Sequence, residues 1–252
     1  MAVILAIHAH PDDIENLCAG TLALLARDGH TIRIATLTAG ECGSADTDLE
    51  ATARIRTAEA ARAAALIGAE YRCGGLPDLG VFNSDEARRT ATELVRWSGA
   101  EIVITASPAD YHPDHEAVSM LVRDACFASS VPNYRTGPAA PLAAIPHLYF
   151  MDPIGGRNRQ GEWVKPDFAV DIAETFATKR AMLGAHESQD AWIAKQHGIA
   201  NHLEAMERWS RRCARDFGAE LAEGFRQYRH IPYPRTPALQ ALIGAALLQA
   251  SS

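Results

Sequence analysis

Short apolar runs separated by polar turns recur along the first half of the chain. Val3–Ile7, Thr31–Leu37 and Glu101–Ala106 predict buried strands. Near-continuous runs of this length suit a parallel sheet covered on both faces. The segments between them change period. Glu15 to Arg27 carries Leu17, Leu22, Leu24 and Leu25 and predicts a helix. Leu49 to Ile67 predicts a long Ala-rich helix stopped at Gly68. Asp85–Trp97 and His115–Phe127 are also helical in pattern, and Tyr71–Cys73 predicts a short third strand. Strands alternating with helices of this length predict an α/β fold, a Rossmann-like doubly wound, mostly parallel sheet with helices on both faces.

The second half is less regular. Residues 133–146 are rich in Pro, Ala and Gly and read as a surface connection. His147–Met151 and Phe168–Ile172 are candidate strands, and helical patterns run from Ile172 to about Arg226. The tail, Ala238–Ala250, predicts an apolar helix that packs on the body or on a partner subunit.

Two tetrapeptides interrupt this pattern at corresponding places. His10-Pro11-Asp12-Asp13 follows the first strand, and His112-Pro113-Asp114-His115 follows the strand ending at Ala106. Both sit where a buried strand gives way to a helix. Open α/β sheets bind ligands at the carboxyl ends of their strands. Two His/Asp clusters on that edge can converge on one metal ion.

A hydrolytic zinc site keeps three protein ligands and leaves a fourth position for water. His10 and Asp13 are one helical turn apart and can point the same way. The second loop supplies the third ligand, and spacing alone does not choose between His112 and His115. The donor set suits zinc, with Fe2+ or another divalent ion as the alternative. Asp12 points elsewhere than its two neighbours and suits a general base. The histidine of the second motif that does not bind metal can donate to an oxyanion or a leaving amine. Asp114, beside it, can orient that imidazole and favour its charged form. His8 reads as a packed core histidine, and His197, His202 and His230 as surface residues.

Composition narrows the classes. A net charge of −7 argues against a nucleic-acid partner held by phosphate neutralisation. MAVILAI has no basic flank and is short for a signal peptide, and no stretch nears the roughly 20 apolar residues of a membrane span. The five cysteines are scattered and form no CxxC. These features predict a cytoplasmic protein with reduced thiols. No GxGxxG follows Ile7, which argues against dinucleotide binding.

The motifs resemble those of the LmbE-like, or PIG-L, family of zinc-dependent N-deacetylases. The similarity runs through AHPDDIENLCAGTLA from Ala9, Thr38–Gly43, Arg56-Thr57-Ala58-Glu59 and the DYHPDH of Asp110–His115. Late in the chain it includes Val170-Asp171-Ile172, Lys179, His186–Gln189 and Ala222–Phe225. The resemblance implies that His10, Asp13 and His115 bind zinc. It also implies that Asp12 is the base, His112 the electrostatic and acid partner, and Asp114 its orienting carboxylate. Glu41, Arg56 and Asp78 fall where relatives bind substrate. It implies one deacetylase domain over residues 1–252, with the catalytic motifs in 1–130 and substrate-cap and oligomer elements in 131–252. The implied activity removes acetyl from a small N-acetylated amino sugar or glycoconjugate, in a homo-oligomer. The alternatives are an amidase acting on a larger acyl group or thiol-sugar conjugate, and a metal-binding module without turnover.

Overall fold

The computed structural model describes residues 1–198 and 201–249. Strand β1 (Val3–His8) leads through the first motif into helices α1 (Asp13–Leu17) and α2 (Ala19–Arg27). Then come β2 (Thr31–Thr38), α3 (Leu49–Ala65), β3 (Glu70–Leu76), α4 (Asp85–Ser98), β4 (Ile102–Thr105) and α5 (Pro113–Ser129). The second half adds β5 (His147–Met151), β6 (Phe168–Asp171), α6 (Phe176–Gly184), α7 (Gln189–His197) and α8 (His202–Arg215). It closes with β7 (Ala222–Gln227), α9 (Ala238–Ile243) and β8 (Leu247–Leu248).

The eight strands among the described residues form one sheet in the order β3-β2-β1-β4-β5-β7-β6-β8. The first five run parallel, and β7, β6 and β8 pair antiparallel. Side chains of β1 alternate between two cores. Ile4 and Ala6 join Leu22, Leu25, Met182 and Phe225 on one face, while Leu5 and Ile7 join Leu94, Val95, Leu121 and Val122 on the other. Each fully buried aliphatic side chain contributes about 1.5–3 kcal/mol. The chain reverses direction across the sheet at β1, whose neighbours are β2 and β4. Ile7 pairs with Thr105, so the loops after β1 and β4 leave the sheet side by side at its switch point.

Three elements differ from the sequence expectation. The helix expected over Glu15–Arg27 is broken at Cys18, whose φ of −146° is not helical. The chain restarts there because the exposed amides of α2 meet a buried anion. Gly20 N and Thr21 N donate to the Glu223 carboxylate at 2.9 and 2.7 Å. Gly20 is needed for this approach, since a Cβ would lie 2.8 Å from the Ile172 side chain. Secondly, Ala222–Gln227 is a strand where helical pattern was expected. Its Glu and Gly hide its burial, which the neighbouring strands β5 and β6 impose. Thirdly, the apolar tail is helical only over Ala238–Ile243. Gly244 turns it (φ 53°, ψ −118°) toward β8 at the sheet edge; Ala250 lies outside the described residues.

Glu223 also pairs with Lys179 at 2.6 Å, both side chains being at most 2% exposed. Lys179 Nζ donates to Asn16 O at 2.7 Å as well. The pair therefore ties α6 and β7 to the segment that follows the first motif. Removing one partner of such a pair leaves a buried charge uncompensated. Glu223→Ala is expected to lower the unfolding free energy by about 3–5 kcal/mol, read by urea denaturation. A loss below about 1 kcal/mol would show that the pair is dispensable.

Candidate metal centre

The turn after β1 folds back on itself. His10 N donates to Asp13 Oδ2 at 2.8 Å, and Asp13 opens α1. This puts the Asp13 carboxylate over the strand end, where His8 Nδ1 lies 2.6 Å from Oδ2. His8 is fully buried, as a core histidine should be, and it also braces Asp13. From the other loop, His115 projects from the first turn of α5 into the same space. His10 Nδ1 lies 3.2 Å from Asp13 Oδ2, and His115 Nε2 lies 3.3 Å from Asp13 Oδ1. The two imidazole nitrogens are 3.3 Å apart.

These separations suit a metal ion, with Asp13 facing His10 through Oδ2 and His115 through Oδ1. A tetrahedral centre with bonds of about 2.0–2.1 Å spaces its ligand atoms by about 3.3 Å. The far side of each imidazole faces carboxylates. His10 Nε2 lies 3.0 Å from Asp78 Oδ1 and 3.4 Å from Asp114 Oδ2, and His115 Nδ1 lies 3.2 Å from Asp110 Oδ1. Carboxylates in that position fix the tautomer of a ligating histidine and turn its other nitrogen toward the ion. Three overlapping donor groups, His10/His112/His115, His8/Asp13/His115 and His10/Asp78/Asp114, each come within 4.8 Å. The whole cluster attracts positive charge. Burial works against protonation of His10, yet Asp114, Asp13 and Asp78 raise its pKa well above the usual range. His115, also opposed by burial, is raised to about 9 by Asp13 and Asp110. Asp13 is held well below the carboxylate range, against the effect of burial, by His115 and His8.

His112 does something different. It is the N-cap of α5, and its Nδ1 accepts a hydrogen bond from Asp114 N at 3.2 Å. The proton of the neutral ring therefore sits on Nε2, and that N–H is a donor. Burial, with His115 and His10 nearby, lowers its pKa to about 4. The sequence expectation was that Asp114 orients this imidazole and favours its charged form. The Asp114 carboxylate accepts from Leu79 N at 2.8 Å and reaches His10, not the His112 ring.

Asp12 lines the cavity beside this cluster. Burial raises its carboxyl pKa, and Arg56 opposes the rise. Of the three expected substrate contacts, Asp78 and Arg56 line the cavity. Glu41 stands behind it and accepts from Asp78 N at 2.9 Å. Arg56 donates to the carbonyls of Gly40 and Pro11. Sequence reasoning gave no role to Asp110, which is fully buried, accepts from His112 N and Ile154 N, and braces His115. Its signal was its place in the same loop as the second motif. His186 was likewise unassigned. It is buried 3.5 Å from Glu15.

The cavity has a volume of about 440 Å³. Its other wall is neutral, formed by Asn16, Tyr111, Gln189, Trp192, Gln196 and Trp209. Helices α7 and α8 bring the last four of these. His202, expected at the surface, is 5% exposed and lines the same wall, because the inner face of α8 also carries Ala205 and Trp209. His230 is exposed as expected, and the side chain of His197 lies outside the described residues. Among the described residues, no helix is long and apolar enough to cross a membrane.

Residues 5–126 match the family model described as PIG-L: GlcNAc-PI de-N-acetylase. The chain is 28% identical over 217 residues to the probable N-acetyl-alpha-D-glucosaminyl L-malate deacetylase 2 of Bacillus cereus, covering 82% of this chain and 93% of that protein. It is 25% identical over 209 residues to the 4-oxalmesaconate hydratase of Pseudomonas putida, covering 77% and 79%. Its structure is similar to that of the conserved protein TT1542 from Thermus thermophilus, with a TM-score of 0.74 and 28% identity, covering 94% of this chain and all of that one.

Proposed function

The chain carries a PIG-L (LmbE-like) family domain over residues 5–126, and from that premise we propose that it is a zinc-dependent N-deacetylase of a small N-acetylated amino sugar or glycoconjugate. The observation that carries the reading is the Asp12 carboxylate, open to the cavity beside the His10–Asp13–His115 triangle. Those three residues would hold the ion. A bound zinc supplies Lewis-acid polarisation of the acyl carbonyl and lowers the pKa of water.

The chain's own groups account for the proton movements. Asp12 takes a proton from the attacking water. The His112 Nε2–H donates to the carbonyl oxygen as charge builds there, acting as a neutral hydrogen-bond donor. The carbon–nitrogen bond breaks, Asp12 returns its proton to the leaving amine, and acetate and a free amino group result.

The neutral wall supports a sugar. Trp192, Trp209 and Tyr111 offer ring faces, while Asn16, Gln189 and Gln196 offer amides for hydroxyls. The Pseudomonas putida relative favours a second reading, addition of water to a carbon–carbon double bond. A substrate bearing several carboxylates would need cations on the wall. Among the described lining residues Arg56 is the only Lys or Arg, and its two terminal nitrogens are already occupied.

Amine release from an N-acetylglucosaminide, compared with an N-acetyl amino acid in the presence of added zinc, tests the proposal. The sugar is expected to be preferred by about 10²-fold or more, because a site built to bond hydroxyls discriminates against compounds lacking them. Equal turnover of the amino acid would overturn the sugar assignment. Hydration of an unsaturated polycarboxylate without any deacetylation would overturn the reaction class.

A further inference from the structure

Asp12 is held in a backbone conformation that L-residues rarely adopt, with φ 99° and ψ −24°. Leu79 is the only other non-glycine residue with positive φ among the described residues. Such a conformation persists only where surrounding contacts impose it. On one side the turn is held locally: Asn16 N and Asn16 Nδ2 donate to Asp12 O at 2.9 and 3.2 Å. On the other it is held by a residue from α3. Arg56 Nη2 donates to Pro11 O at 2.6 Å, and Nη1 donates to Gly40 O at 2.7 Å. The same Nη2 lies 3.5 Å from Asp12 Oδ1.

The β2–α3 loop is shaped to let this guanidinium through. A Cβ on Gly40 would lie 2.1 Å from Arg56 Nη1, and one on Gly43 would lie 2.6 Å from it. Gly40 also has a φ of +65°, which favours glycine independently. Arg56 itself is 4% exposed, so its head is enclosed by the two loops. A planar fork with several fixed donors can bridge carbonyls on two loops at once, and a lysine ammonium matches that geometry poorly.

We infer that Arg56 is a positioning residue that locks the strained His10–Asp13 turn to the β2–α3 loop and so aims the Asp12 carboxylate into the cavity. This departs from the sequence expectation that Arg56 reaches substrate hydroxyls. It rests on the reading of Asp12 as the base, and the two can fail separately.

The test compares Arg56→Lys and Arg56→Ala with the unaltered protein on an N-acetylglucosaminide and on a sugar-free acetanilide. Metal content and melting temperature are measured alongside. A misplaced reactive group of about 1 Å costs on the order of 10²-fold. The expected result is a kcat loss of about 10–10²-fold, equal for both substrates, with KM for the sugar nearly unchanged and the metal retained. Added guanidinium ion should restore part of the Arg56→Ala activity. Gly40→Ala, which crowds the guanidinium and leaves Arg56 in the chain, should reproduce the kcat loss. A higher KM for the sugar with acetanilide hydrolysis unaffected would make Arg56 a substrate contact and overturn the inference. Unchanged kcat in Arg56→Lys and Gly40→Ala, or loss of metal in either, would also overturn it. An active Asp12→Ala protein would sink the reading of the base instead.

Discussion

Asp12→Ala is expected to abolish practical turnover, by about 10²–10⁴-fold, with metal content equal to that of the unaltered protein. Asp12 sits between His10 and Asp13 in sequence, has a left-handed backbone and lines the cavity beside them. Burial then raises its pKa, with Arg56 limiting the rise, which makes it a better proton acceptor than an exposed carboxylate. Asp13 is pushed the other way by His115 and His8, so the two adjacent carboxylates are suited to different work. Single-turnover rates and metal analysis on the same preparation check this. Near-native turnover with metal in place would overturn the proposed mechanism.

Alanine at His10, Asp13 or His115 should instead strip the metal. The three side chains face one another at 3.2–3.3 Å, Asp13 through Oδ2 to His10 and through Oδ1 to His115, and each would supply about a third of the protein coordination. Loss of a bracing residue around a metal site costs about 10–100-fold in affinity, so loss of a donor should cost at least that. His112→Ala provides the contrast, because its Nδ1 is engaged with the start of α5. It should keep its metal and lose about 10²-fold in kcat, as for an oxyanion-stabilising donor. Metal analysis after dialysis reads both. Full, tight occupancy in His115→Ala would overturn the ligand assignment.

Much of the fold was legible because its strong signals are local. Val3–Ile7 is an unbroken apolar run, Thr31–Leu37 carries Ile32, Ile34, Ala35 and Leu37, and Gly68 marks the end of the Ala-rich helix that follows. Legibility failed where burial came from partners far away. Ala222–Gln227 contains Glu223, a residue that no pattern would bury, and it is accommodated only because Lys179, Gly20 and Thr21 converge on it. The break at Cys18 has the same origin, since the anion that receives the start of α2 lies more than two hundred positions away.

The site divides along the same line. The sequence by itself determined which side chains reach the switch point, because two strand ends and two His-Pro-Asp turns leave little freedom over where they emerge. It also determined their chemistry, a His/Asp donor set with a spare carboxylate. Only the tertiary structure decided how those side chains are shared out. His112 and His115 are equivalent by spacing. The phase of α5 against β1 brings His115 to Asp13 and assigns His112 to the helix cap. Asp114 was expected to orient the second motif's own imidazole, whereas its carboxylate accepts from Leu79 N and lies 3.4 Å from His10 Nε2. Arg56 was expected among the substrate contacts, yet two glycines on the neighbouring loop leave room for its guanidinium to reach the carbonyls of Gly40 and Pro11. The physical reason is common to all three. Spacing sets the distance between side chains along one element, whereas the direction each takes follows from how that element is rotated against others distant in the chain.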